Sequence, residues 1–404
     1  MICNKSSTLL NWIKQNKKLI NIAFVIIIII RFVYLNYINW NWGDLATGYE
    51  GVKYGCDTER YINGAEQLIN NNQLLSHQTR YVGYILLIAF VKMLGFGLKQ
   101  VILIQLLMAL LSSLALYDIG KSITKNPTIS IIGAGLYLIN PFIVNWHLYI
   151  HTESIYFSFL IFATWSINKA IQKKTYNYFI LSFLIVIVTA SIRPNGWVLV
   201  PIMFCFFIFY SNFKRLLKFL CLFLIPLIFF FSTVYVGVLN RSFKDNPIVQ
   251  QSQKGLVIYG HDELCIVMPK DISIESNNWI KSYFVYTLKH PIASLKLATV
   301  RVFTEFLPIN RSWLSVKYKI RFLFWMLPSY LLAIIGIIYY RHKAAMQVIF
   351  VIVLSHIMII ALTHSEHEFR FMTSILSLIH IMGACGIFII IKKLLFIENT
   401  KYSL

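Results

Sequence analysis

Mostly apolar stretches, each about eighteen residues or longer, recur along the whole of this chain. That recurrence decides most of what it can fold into. A helix of that length rises about 27 Å, close to the ~30 Å hydrocarbon core of a bilayer. Of its 404 residues, 58% are hydrophobic and only 13% are charged, against about 45–50% and about 25% in soluble domains. The apolar runs are continuous rather than alternating, which excludes a closed barrel, the other fold able to satisfy its backbone in lipid. The expected fold class is therefore an all-α polytopic membrane protein.

Lys and Arg in short loops mark the cytoplasmic side of such a protein. Lys14, Lys17 and Lys18 precede the first run, IAFVIIIIIRFVYLNYI. That run is long and lacks a small-residue cleavage site, so it reads as an anchor rather than a signal peptide. Basic loops follow at Lys121/Lys125, Lys169/Lys173/Lys174, Lys214/Arg215/Lys218, Arg341/Lys343 and Lys392/Lys393. One arrangement puts all of them inside: about ten spans near 19–36, 99–119, 127–147, 154–170, 176–192, 196–211, 216–238, 321–340, 345–363 and 372–391. It requires that 81–97 (YVGYILLIAFVKMLGFG) not cross but lie as a re-entrant or interfacial helix in the first outer loop, 37–98. Three regions follow. Residues 1–238 form a transmembrane module with that loop. Residues 239–320 form amphipathic helices on the outer leaflet. Residues 321–404 form the last spans and a cytoplasmic tail. The formal charge of +21 reads as the positive-inside bias and not as a nucleic-acid surface. Cys205, Cys221 and Cys385 lie in apolar runs as packing residues. Cys56 and Cys265 fall outside and can pair in an oxidising compartment.

The polar residues that interrupt the apolar pattern gather in the outer segments. Asp57 precedes a helix-like stretch, GCDTERYINGAEQLI, either as an ordinary N-cap or as a functional carboxylate. Asp44 and Glu50 share its loop. Glu153 stands at the mouth of a span (HTESIY), as a helix-end anchor or a functional acid. Arg193 precedes Pro194, which biases it away from helix, and either snorkels or binds an anion. In ALTHSEHEFRFM (361–372), Glu366 and Arg370 have the spacing of a helix-surface ion pair. His364, His367 and Glu368 do not follow the H-E-x-x-H spacing of a zinc site. An arginine beside histidines suits a lipid phosphate better. Together, Asp57, Glu153, Arg193 and Arg370 suit group transfer from a phosphate-bearing lipid: a carboxylate base opposite arginines that stabilise a departing phosphate.

The order of these motifs resembles the GT-C membrane glycosyltransferases, especially the branch with protein O-mannosyltransferases and lipid A aminoarabinose transferases. The resemblance runs over most of 20–390 and is carried by DTERYINGA, RYVGY, GFGLKQVILIQLL, TESIY, RPNG and EFRF. It implies an inverting transfer from a polyprenyl-phosphate sugar to a glycan, glycolipid or protein acceptor. The reaction would occur at the non-cytoplasmic face of a bacterial plasma membrane. Asp57 would be the first-loop catalytic carboxylate and Glu153 a second acid. Arg193 and Arg370 would contact the donor, with Arg80, His364 and Glu366 as further candidates. No cofactor is called for, and a divalent metal stays open. The chain departs from the pattern in its Asp-Thr-Glu in place of Asp-Glu, and in MTSIL in place of a proline after EFRF. Two rivals stand: a transporter or flippase for a lipid-linked sugar, and a glycan polymerase or ligase with a pyrophosphate-linked donor. Against the flippase, the charges gather at one surface rather than at the midplane.

Overall fold

The computed structural model describes residues 15–40, 52–55, 57–75, 77–210, 247–270, 279–308, 311–366 and 368–401. Among these the architecture is helical, with three isolated β-bridges in place of strands. Helix α1 (Lys17–Asn39) is followed by α2 (Thr58–Ile69), α3 (Val82–Met93), α4 (Leu98–Thr124) and α5 (Pro127–Ile139). Next come α6 (Thr152–Lys173), α7 (Tyr176–Ile192) and α8 (Leu199–Tyr210). After the short helix Pro247–Gln253 come α9 (Trp279–Lys289), α10 (Pro291–Phe306), α11 (Val316–Tyr340), α12 (Ala344–Leu362) and α13 (Arg370–Lys401).

Five of these helices are long and apolar enough to cross a bilayer: α1, α4, α11, α12 and α13 as far as Leu394. A sixth span arises if α5 and the Pro141–Leu148 segment count together across a 47° bend. Pro141 sets that bend, since it follows Asn140 in extended backbone and begins the next turn. The described residues thus hold five or six candidate spans, not the ten expected. Helices α7 and α8 are apolar but shorter, and 216–238 lies outside the described residues. Helix α6 has the length, but its inward face carries Ser154, Ser158, Thr164, Ser166 and Asn168, all buried. It is a polar spine for the bundle rather than a uniformly apolar rod.

The segment expected not to cross does not have the length to do so. Helix α3 has 12 residues, about 18 Å of rise, and packs against α2, α4 and α7. Its Tyr84 hydroxyl donates to Gln105 Oε1 at 2.7 Å, and Gln105 Nε2 donates to the carbonyls of His147 and Tyr149 at 2.8 and 2.9 Å. This buried chain ties the first outer loop to the α5–α6 connection. A parallel bridge between Lys53 and Tyr149 ties it again.

Helices α11 and α13 pack closely because glycine permits it. A Cβ on Gly336 would strike the Met382 carbonyl, and one on Gly386 would strike that of Leu332. Small residues let membrane helices approach in this way. Beyond the bundle, Val257, Ile258, Met268, Tyr286 and Leu297 form a separate small core. On α9 and α10, Phe284, Leu288, Ile292, Leu295 and Phe303 stay exposed. Such apolar faces suit contact with a leaflet better than with water. Cys265 has a free thiol, while Cys56, its suggested partner, lies outside the described residues. Asp44 and Glu50 lie outside them too.

Candidate functional site

Asp57 stands at the N-cap position of α2, yet its side chain makes no cap hydrogen bond. The loop is closed by its neighbour: Thr58 Oγ1 accepts from the Gly55 amide at 2.9 Å, and the Thr58 amide donates to the Gly55 carbonyl. The Asp57 carboxylate therefore serves other partners. Arg370 Nη1 donates to Oδ2 at 2.8 Å, and Arg60 Nη1 lies 3.2 Å from Oδ1. The Asp57–Arg370 pair spans 313 positions of sequence. It joins the first outer loop to the start of the last helix.

Arg370 also faces the second acid, its Nε lying 3.6 Å from Glu153 Oε1. The same oxygen accepts from Arg193 Nη1 at 3.0 Å. Glu153, in the first turn of α6, is 1% exposed. A carboxylate so enclosed is tolerable only with cations beside it, and here it has two. Arg193 is where the proline rule puts it, extended at the C-terminus of α7, with Pro194 opening a short 3-10 turn. Its guanidinium lies over the rings of Tyr156 and Phe371, and that of Arg370 over Trp146. The aromatic faces flatten and orient both cations.

The four residues expected to converge thus form, with Arg60, one continuous relay: Arg60–Asp57–Arg370–Glu153–Arg193. The further candidates lie around it. Glu366 sits on the loop before α13 rather than on a helix, so the reading of Glu366 and Arg370 as a helix-surface pair does not hold. Burial alone would raise the Glu366 carboxyl. A hydrogen bond from His364 (3.4 Å), with positive charge from His364, Arg370 and Arg193, outweighs it and holds the group below the ordinary range. His364 leans on Tyr259 and Phe371. His367 lies outside the described residues, and with it the metal reading of His364, His367 and Glu368. Arg80 lies one layer back, on the 3-10 turn before α3, where its charge and that of Arg60 act together on His77 and Tyr81.

Residues outside the expected set complete the site. His151, whose i, i+4 spacing from His147 reads in the sequence as that of an interfacial residue rather than a ligand, is 1% exposed and lies against Trp146, Tyr149 and Tyr61. Its Nδ1 is 3.6 Å from Glu153 Oε2. Burial lowers its proton affinity more than the facing carboxylates raise it. The close approach of the first outer loop needs Gly55 there, since a Cβ would come within 2.6 Å of His151 Nε2. Tyr61 is held far above its ordinary range, first by burial and then by the negative charges of Tyr81, Glu153 and Asp57. The recurrence of Tyr and His at 147–151 was the only signal in the sequence for this aromatic wall.

Two more missed residues are Glu305 on α10 and Arg311. Both are fully buried, and they lie 3.5 Å apart. Burial pushes the Glu305 carboxyl up, against the pull of Arg311 and of its hydrogen-bond donors. Burial likewise brings Arg311 down to about 10. The signal was a single acid in an amphipathic helix turn, VRVFTEF. It lay in a segment expected to rest on a membrane surface, where such an acid is ordinary.

Chemically, the cluster presents arginine donors, one half-exposed carboxylate and one buried carboxylate, walled by aromatic rings. That set can bind an anion such as a phosphate diester and can take a proton from a hydroxyl.

Residues 81–236, less than half of the chain, match a protein family described as dolichyl-phosphate-mannose-protein mannosyltransferase. Glu153 and Arg193 fall within the matched span, while Asp57 and Arg370 lie on either side of it. The search among curated proteins found no match for the chain.

Proposed function

We propose that this protein is an integral membrane glycosyltransferase that takes a sugar from a polyprenyl-phosphate donor. The observation that carries the reading is Arg370, shared between the half-exposed Asp57 and the buried Glu153, with Arg193 on the other side. An isolated structural pair would need neither two arginines on one acid nor two acids on one arginine. A donor phosphodiester entering this cluster competes with Asp57 for the Arg370 guanidinium, because Arg grips phosphate and carboxylate with the same planar fork.

That competition supplies a mechanism. Once phosphate takes Arg370, Asp57 Oδ2 is released to accept the proton of an acceptor hydroxyl. The acceptor oxygen forms its bond to the anomeric carbon as the bond from that carbon to the phosphate oxygen breaks. The electron pair leaves with the phosphate, which gains negative charge. Arg370 and Arg193 stabilise that growing charge, and attack from the face opposite the phosphate inverts the anomeric carbon. Glu153 keeps the arginines fixed and charged. Tyr61, Trp146, Tyr149 and His151 form an aromatic wall suited to a sugar ring. The positive-inside reading of the basic loops supports the non-cytoplasmic leaflet as the side of this cluster. The donor would lie with its tail in the bilayer and its headgroup in the site. The match to a mannosyltransferase family supports mannose as the first sugar to try.

The test is direct. Purified protein in detergent is incubated with a panel of polyprenyl-phosphate monosaccharides, mannose among them, and release of polyprenyl phosphate is followed. Wild type should consume at least one donor, and Arg370→Ala should abolish consumption while the protein stays inserted and folded. Full activity of that variant removes Arg370 from the site. Movement of an intact donor across vesicles without consumption would favour the flippase.

A further inference from the structure

The loop that leads to Arg370 is held from outside the charge cluster, chiefly at Ser365. Ser365 is fully buried. Its amide donates to the Val257 carbonyl at 2.9 Å, and its carbonyl accepts from the Tyr259 amide at 3.1 Å. Its hydroxyl donates to Glu305 Oε2 at 2.6 Å and accepts from Arg311 Nη2 at 3.0 Å. Glu305 then takes two amides that flank the turn: Glu366 N on Oε2 at 2.9 Å, and Met372 N on Oε1 at 3.1 Å. Arg311 closes the other side, its guanidinium 3.8 Å above the ring of Phe369.

What this knot encloses is unusual. Phe369, the residue before Arg370, has φ +57°. Bulky side chains rarely adopt that conformation, and it persists only where the surroundings over-determine it. Arg311 on one face and Phe322, 4.6 Å between ring centroids, pin the Phe369 ring. The turn starts α13 at Arg370, which sends that guanidinium toward Asp57 and Glu153. None of the contacts above runs from the knot to the Asp57–Arg370–Glu153–Arg193 cluster.

We infer that Glu305 and Ser365 are positioning residues: they hold the strained turn at Phe369 and thereby aim Arg370 at its two acids and at the donor phosphate. The inference rests on the reading of Arg370 as the phosphate ligand. A displacement of about 1 Å in such a ligand lowers turnover about a hundredfold. Glu305→Ala should therefore reduce kcat/KM for the polyprenyl-phosphate donor about a hundredfold. Ser365→Ala removes one hydroxyl and leaves the backbone bridge, so it should fold and reduce kcat/KM about tenfold. Glu305→Gln keeps one acceptor oxygen and should recover part of the loss.

Full-length protein in detergent separates positioning from mere support. Acting through Arg370, Ser365→Ala and Glu305→Gln should cost little further in an Arg370→Lys background, which keeps measurable activity, whereas independent contributions would add. Additivity there, or wild-type kcat/KM in Ser365→Ala, overturns the inference. Hydrogen exchange judges the knot without any substrate: in Ser365→Ala, exchange should quicken at 363–372 with the melting temperature nearly kept. Unchanged exchange at those amides also overturns it. A wild-type protein that consumes no donor, but whose variants show this local quickening, would sink the glycosyl-transfer reading and leave the knot standing.

Discussion

Two charge centres meet the chain within a few residues of one another at the start of α13, one through Ser365 and the other through Arg370, and they are built on opposite plans. The Glu305–Arg311 centre is sealed: both side chains have no exposure, and each carboxylate oxygen of Glu305 meets a donor. The Asp57–Arg370 centre is open. Its side chains keep 22% and 18% of their exposure, and one arginine is divided between two acids. A saturated pair has nothing to offer an incoming ligand and serves to fix the backbone. A pair with shared, half-exposed partners can exchange them. The difference locates the chemistry more firmly than the presence of charge does.

The sharpest way to break the comparison is Asp57→Asn. If the open centre is catalytic, losing its base should reduce turnover about 10²–10⁴-fold while the melting temperature barely moves. A thermal shift without a loss of turnover would make Asp57 a structural group only. Arg311→Met tests the sealed centre, where the loss should appear in stability as well as in turnover. Leaving Glu305 buried without its counterion should destabilise by about 3–5 kcal/mol, read as a fall in melting temperature in detergent. Replacing both members, Glu305→Leu with Arg311→Met, should recover much of that loss, since apolar pairs often replace buried ion pairs at little cost.

A finer test uses Arg370→Lys. It keeps the charge but loses the fork that reaches Asp57 and Glu153 together. Activity about tenfold below wild type and well above Arg370→Ala would show that geometry, as well as charge, holds the donor. Equal loss in both variants would make the fork indispensable.

The sequence showed one centre and hid the other for a physical reason. Asp57, Glu153, Arg193 and Arg370 stand out because each interrupts or borders an apolar run, where a charge is costly and needs a purpose. Their convergence could be argued from topology alone, without any distance. Glu305 sits in an amphipathic stretch, where a lone acid is unremarkable, and its importance lies in three partners 60 or more positions away. The knot at Ser365 is mostly backbone, which side-chain patterns cannot report. The span count suffered similarly. Apolar length was legible at α1, α4 and α11–α13. The polar inward face of α6 and the bend at Pro141 are packing facts that a window of hydropathy averages away.

The smallest expected effect is on pH dependence, and it too separates the centres. His151, beside the open centre, is held below its ordinary value of 6.5 by burial. The unfolded chain therefore takes up a proton near pH 6.5 that the folded chain refuses. Stability is full above that value and declines as pH falls through it, by at most about 1.4 kcal/mol per unit. Glu366, whose folded value lies below 4.5, contributes stability that is present above 4.5 and lost only as pH falls further. Between pH 6.5 and 5 His151 should thus contribute to the decline and Glu366 should not. His151→Gln should lessen the slope of melting temperature against pH in that window, and Glu366→Gln should leave it unchanged there. A slope that His151→Gln does not change would detach His151 from the acid sensitivity of the open centre.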